Sequence, residues 1–202
     1  MTEIIIPERY WKGNQTIENE IPWLTPKSIY RLDELLKKDF NVLEIGSGGS
    51  TLFYSRRCKT VTSIETDPPW YDTMKSILPN KHVSNCNLNL CETIEEILEM
   101  IDKFDNKFNC IMVDPHKKEV KTKRIINRDT IFSAIIKKVD KKGIIVLDNY
   151  TSKFFCTYLR YRTNEQIIQE FLPDDWVAED YNDRKWHGSG TKILHNLNKI
   201  NE

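Results

Sequence analysis

A glycine-rich turn and a carboxylate downstream of it are the residues of this chain whose types and spacing best fit a chemical task. The turn reads Glu44-Ile45-Gly46-Ser47-Gly48-Gly49-Ser50, and Glu65 follows Gly46 by nineteen residues. Glycines are needed where the backbone must bend tightly and come within contact distance of a ligand, because a Cβ would block the approach. A carboxylate about 20 residues on, at the end of the next strand, is placed to accept both ribose hydroxyls of an adenosine. The pair is far more specific than either feature alone. A dinucleotide fingerprint would need glycine at position 51, where the chain has Thr51, and no Lys-Ser or Lys-Thr follows the glycines as a phosphate loop requires.

The elements that must hold these groups show as short apolar runs alternating with amphipathic segments, the pattern of a parallel sheet covered by helices on both faces. Strands are predicted at 41–45, 60–64, 81–85, 108–113 and 144–147. The first helix starts at Pro26 with Thr25 as cap and carries Ile29, Leu32, Leu35 and Leu36 on one stripe. A second follows the glycines to about Arg57, and a third starts at Asp67-Pro68. Further helices are predicted at 93–104, 124–139 and 152–171. Two short runs, 176–178 and 191–194, flank a polar, glycine-containing stretch and read as a closing antiparallel hairpin. The expectation is an α/β fold, a Rossmann-like three-layer αβα sandwich with a mostly parallel seven-stranded sheet and a C-terminal antiparallel hairpin. Residues 1–38 form an N-terminal extension with one helix, and 39–202 form the ligand-binding domain.

On these residues the chain resembles the class I S-adenosylmethionine-dependent methyltransferases, whose first motif is acidic-x-Gly-x-Gly-x-Gly. The match runs from about Asn41 to Leu194. It is similar in particular to the branch with Ser-Thr after the glycines, here Ser50-Thr51, with Ser50 in place of the third family glycine. The resemblance implies that Gly46 and Gly48 approach the methionine portion of the cofactor and that Glu65 takes the ribose. Glu44 anchors the turn or faces the cofactor's amino group. Ser50 either donates to the cofactor's carboxylate or starts the helix. Asn85 and Asn87, after the third strand, are both candidates for the adenine pocket.

Methyl transfer requires the acceptor in line with the sulfonium, an orientational task that belongs to the loops after the fourth and fifth strands. Asp114, His116 and Lys117 follow the fourth, and Asp148 and Asn149 the fifth. Asp114, Lys117, Asp148 and Asn149 are similar in placement to the metal set and base lysine of catechol-type, magnesium-dependent O-methyltransferases. Two carboxylates and an amide suit a hard cation such as Mg²⁺, which would acidify a bound hydroxyl, with Lys117 or His116 taking the proton. The other assignment has Asp148 and Asn149 capping a helix near Ser152. The expected reaction is O-methylation of a small-molecule or sugar hydroxyl. The alternatives are N-methylation of nucleic acid or protein, and a non-catalytic adenosyl-binding subunit.

Four further segments have two readings each. Residues 117–124, with five basic side chains, either receive an anionic substrate or form a solvated helix entry. Asp67-Pro68-Pro69-Trp70 spells a motif with which nucleic-acid amino-methyltransferases grip a flipped base, but after their fourth strand; here it follows the second, where a helix start accounts for it. Residues 186–190, which include His187, would make a lid over the acceptor or a plain surface turn. Residues 10–23 would cover the pocket or pack on the first helix.

Bulk composition narrows the partners. The chain has 202 residues, enough for one buried core, and its 30 basic and 30 acidic residues cancel, which speaks against a polyanionic nucleic-acid partner. Five cysteines without a CxxC pair suggest reduced thiols rather than zinc or disulfides. Only Ile4 to Ile6 is apolar near the N-terminus, too short for a signal peptide or membrane span, so a cytoplasmic setting is expected.

Overall fold

The computed structural model describes residues 4–115, 125–153, 156–173, 175–182 and 190–196. Seven strands form one sheet: β1 (Asn41–Ile45), β2 (Thr60–Glu65), β3 (Cys86–Leu90), β4 (Phe108–Val113), β5 (Val139–Asp148), β6 (Val177–Tyr181) and β7 (Thr191–His195). Their spatial order is β3-β2-β1-β4-β5-β7-β6. The first five are parallel, and β7 lies antiparallel between β5 and β6, with Asp148 opposite Thr191. The helices are α1 (Gln15–Glu18), α2 (Pro26–Leu35), α3 (Gly49–Arg57), α4 (Pro68–Asn80), α5 (Ile94–Asp102), α6 (Arg128–Ile135) and α7 (Asn164–Phe171). This is the expected α/β sandwich, with its closing antiparallel pair.

The period of two along each strand sends alternate side chains to opposite faces. Leu43, Ile45, Ile111, Val113, Ile145 and Leu147 pack with the apolar stripes of α5 and α6. Val42, Cys110, Met112, Ile144 and Val146 pack on the other face with Ile29 and Leu32 of α2 and Phe53 of α3. Each such aliphatic side chain taken from water contributes roughly 1.5–3 kcal/mol, so both faces must stay covered. Glu44 alternates with Leu43 and Ile45, so it points to the α2/α3 face, under the glycine turn.

Four elements differ from the sequence expectation. The third strand is not 81–85 but β3, five residues later, because Lys81 and Val83 donate back to Ile77 and Leu78 and so finish α4. β5 begins at Val139, and its pairing with β4 shifts register between Phe108 and Cys110. α6 begins at Arg128, where the Asn127 side chain caps the Asp129 N–H at 2.8 Å. The described residues of 152–171 do not form one continuous helix. The Asp129 carboxylate accepts from the Tyr158 and Leu159 amides (2.6 and 3.2 Å) and the Thr157 hydroxyl (3.0 Å), which ties the start of a short 3₁₀ turn, Leu159–Tyr161, to α6. α7 then starts on a capping box between Thr163 and Gln166.

The N-terminal segment is built into the core. Tyr10, Ile21 and Leu24 join α2 and α3, and the Tyr10 hydroxyl donates to the Leu24 carbonyl. Ile17 packs with Leu52, Met74 and Leu78 of α3 and α4. Trp23 remains exposed.

Candidate functional site

The carboxyl ends of β1, β2, β4 and β5 meet on one edge of the sheet, where ligands of open parallel sheets sit. At the end of β1 the chain turns through Gly46, at φ +100°, where a Cβ would stand 2.2 Å from the Asp114 carbonyl oxygen. The Gly46 amide donates to Ile64 (2.8 Å) and the Asp114 amide to Ile45 (2.8 Å), so the bend is locked between β2 and β4. At Gly48 the nearest described atom to a Cβ would be the ring of Trp70, 4.0 Å away. The Trp70 ring therefore stands at contact distance over the bare main chain of Gly48.

Glu44 anchors this turn. Its Oε2 accepts from Thr51 Oγ1 at 2.6 Å and lies 2.9 Å from Ser63 Oγ, while Thr51 Oγ1 accepts from the Gly48 amide at 2.9 Å. Its Oε1 is buried with no hydrogen-bond partner. Burial pushes the carboxyl up to about 7, against the pull of the Ser50, Thr51 and Ser63 hydroxyls. Ser50 is the second residue of α3.

Glu65 turns toward the bend. Its Oε1 accepts from the Thr66 and Asp67 amides (2.7 and 2.9 Å), and its Oε2 accepts from the Ser47 hydroxyl. Three of the roughly four acceptor positions of a carboxylate are thus filled. Burial raises its pKa, partly offset by Ser47 and the two amides. Trp70 Nε1 donates to the Ser47 carbonyl at 2.9 Å. Ser47 is therefore held through both its hydroxyl and its carbonyl, by the last residue of β2 and by α4. Asp67-Pro68-Pro69-Trp70 opens α4, with Asp67 at the cap position and Pro68 first in the helix.

The bare bend and the inward carboxylate together fit an adenosyl ligand carrying an amino-acid end. The adenine candidates are different. Asn85 lies at the entry of β3, on the far edge of the sheet, and its amide donates to the Ser55, Cys58 and Lys59 carbonyls. Asn87 lies inside the strand. The carboxyl end of β3 is Leu90, followed by Cys91, whose amide donates to the Glu65 carbonyl at 2.9 Å.

At the carboxyl ends of β4 and β5, Asp114 and Asp148 are drawn together by Arg128. The Arg128 side chain is 3% exposed; Nη2 donates to Asp114 Oδ1 at 2.6 Å and Pro115 O at 3.3 Å, and Nη1 to the Asp148 carbonyl. Asp148 Oδ1 accepts from Thr191 Oγ1 at 3.1 Å, and Oδ2 from the Asn149 side-chain Nδ2. Burial and then the nearby Asp114 charge push Asp148 up to about 8. Asn149 adopts φ +52°. Its carbonyl accepts from Ser152 N at 3.0 Å, and the helix these two residues were expected to cap is not formed there. Among the described residues no group of three or more His, Cys, Asp or Glu side chains could hold a metal ion. The described members of the Mg²⁺ set do not fit a divalent ion, since a guanidinium already sits on Asp114. His116 and Lys117, the basic stretch 117–124 and positions 183–189, with His187, lie outside the described residues.

The role of Arg128 and the contact between Ser47 and Trp70 escaped the sequence reading. Arg128 did leave a signal. It follows Asn127, a strong cap residue, and a cation in a first helical turn opposes the helix dipole unless an anion faces it. The contact between Ser47 and Trp70 left none, since only the folded chain brings α4 against the β1 turn.

No protein-family model matches the chain and no curated protein matches its sequence. Solved structures do. An O-methyltransferase from Bacillus cereus in complex with S-adenosylhomocysteine has a TM-score of 0.64 and 16% identity, with 95% of this chain and 92% of that one covered. The O-methyltransferase TomG from Streptomyces achromogenes, in complex with S-adenosylmethionine, has a TM-score of 0.62 and 17% identity over 96% and 92%. An rRNA methylase from Streptococcus thermophilus has a TM-score of 0.56 and 13% identity over 84% and 94%. The chain has the fold of the class I S-adenosylmethionine-dependent methyltransferases.

Proposed function

We propose that the protein is a methyltransferase that moves the methyl group of S-adenosylmethionine to a hydroxyl of a small molecule or sugar. The observation that carries this is the closure of Glu65 onto Ser47 beside an open glycine bend. The cofactor, when bound, supplies an electrophilic methyl group on a sulfonium. Gly46 and Gly48 admit its amino-acid end to the main chain, with Ser50 at the start of α3 nearby. Glu65 holds the ribose once the Ser47 hydroxyl turns aside, and Glu44 keeps the bend in place from below.

Across the crevice Asp114, whose side chain is 34% exposed, faces the acceptor and orients its hydroxyl. His116 and Lys117, just beyond Asp114, are the bases we assign to the departing proton. Asp148 and Asn149 support that wall from β5. The O-methyltransferase neighbours favour a hydroxyl acceptor. All five cysteines are free thiols, which suits a cytoplasmic compartment. No described helix is long and apolar enough to cross a membrane.

A second reading, methylation of RNA, draws on the rRNA methylase neighbour and on one surface feature. After β5, Arg160 stacks over Tyr161 (4.0 Å) and Arg162 over Tyr158 (3.8 Å), a pairing of cation and ring that suits unpaired bases.

Calorimetric titration with S-adenosylhomocysteine tests the main proposal. One-to-one binding in the micromolar range is expected, followed by methyl transfer to a panel of hydroxyl acceptors with S-adenosylmethionine. No heat at millimolar ligand would remove it.

A further inference from the structure

Arg128 is the first residue of α6, where the helix dipole disfavours a cation, yet its side chain is almost wholly buried. Such a placement is stable only when anionic or carbonyl oxygens face the guanidinium. Three do. Asp114 Oδ1 lies at 2.6 Å and the Pro115 carbonyl at 3.3 Å, and the Asp148 carbonyl accepts from the second terminal nitrogen. One rigid, planar fork therefore ties the carboxyl end of β4 to that of β5. The remaining oxygens of Asp148 are engaged by Thr191 and Asn149.

We infer that Arg128 is the resident cation of the acceptor wall, fixing Asp114 and the β5 end as a divalent ion would, so that the protein binds no metal there. A hard cation would need Asp114 Oδ1 at about 2.1 Å. That oxygen already carries a charge-assisted bond to a group of the same sign. Arg128 is thus a positioning residue. It acts through Asp114, and its part in orienting the acceptor rests on the methyl-transfer proposal.

The test is an Mn²⁺ titration followed by electron paramagnetic resonance, with thermal unfolding in the presence and absence of Mg²⁺. Wild type is expected to bind no Mn²⁺ at millimolar concentration and to melt at the same temperature with or without Mg²⁺. Arg128→Ala opens the place between Asp114 and the β5 end. It should melt lower, bind Mn²⁺ at least about tenfold tighter than wild type, and regain stability and turnover with Mg²⁺, reversibly with chelator. Arg128→Lys should stay closed to Mn²⁺. Stoichiometric Mn²⁺ binding by wild type that Asp114→Asn abolishes would overturn the inference. So would a folded Arg128→Ala that gains no ion affinity. If Arg128→Ala does not fold, the wild-type, Asp114→Asn and Arg128→Lys titrations still decide. The ion measurements need no turnover, so a chain that transfers no methyl group but behaves as expected toward Mn²⁺ fails only the methyltransferase proposal.

Discussion

Glu65 already has a hydroxyl bound to it in the form of Ser47, and under the proposed function a ribose hydroxyl would use the same carboxylate. A ligand hydroxyl must either take the one remaining acceptor position or displace Ser47. Hydrogen bonds to a charged group are worth about 1.5–3 kcal/mol each, so removing the carboxylate costs far more than removing its internal competitor. Glu65→Ala should weaken S-adenosylhomocysteine binding by roughly a hundredfold, about 3 kcal/mol. Ser47→Ala should bind as wild type or tighter. Calorimetry on both variants decides it: an unchanged Glu65→Ala, or a Ser47→Ala that binds as poorly as Glu65→Ala, contradicts the assignment. The placement of Glu65, Gly46 and Gly48 at neighbouring strand ends was legible in the sequence because it depends on the local main chain and a fixed strand spacing. Asp114 and Asp148 were legible as strand-end acids. Their mutual linkage was not, because it passes through Arg128, whose contacts with both strand ends exist only in the folded chain.

At the scale of elements, the start of α3 is pinned from outside by the N-terminal segment. A Cβ on Gly49 would lie 2.2 Å from the Ile21 carbonyl oxygen and 2.5 Å from that of Thr16. Two effects of Gly49→Ala oppose each other. Alanine improves helix propensity by about 1 kcal/mol, whereas forcing backbone out of a packed contact costs about 1–3 kcal/mol and here meets two carbonyls. The clash should win, giving a net loss of roughly 1–2 kcal/mol by urea denaturation. A stabilised Gly49→Ala would mean that residues 16–21 do not bear on the helix. Sequence patterning located the strongly periodic elements, β1, β2, β4 and α5, within a residue or two. It misplaced β3, a run of alternating Asn and apolar residues with little strand character, and it extended α7 backwards over a segment that Asp129 holds by side-chain bonds. Such long-range polar tethers leave no periodic mark.

At the scale of the whole molecule, charge decides between a small acceptor and a nucleic acid. Basic and acidic residues balance, so no general field gathers phosphates, and any RNA contact must come from local cations. Each phosphate neutralised on a single strand adds about 0.7 to the slope of log affinity against log salt. With Arg160 and Arg162 alone, a fourfold rise in salt should cost an oligonucleotide only about sevenfold in affinity. If the five basic residues of 117–124 also lay against phosphates, seven cations would act and the same change would cost about a thousandfold. Fluorescence anisotropy with a labelled single-stranded RNA measures this slope directly. Under the small-acceptor proposal binding is weak and the slope shallow, because the guanidiniums are stacked on tyrosines and Arg162 is shared with Glu170 at 3.4 Å. A steep slope with micromolar affinity at moderate salt would instead place the basic stretch after β4 on a phosphate backbone. The acceptor would then be RNA, and the O-methylation of small molecules would have to be given up.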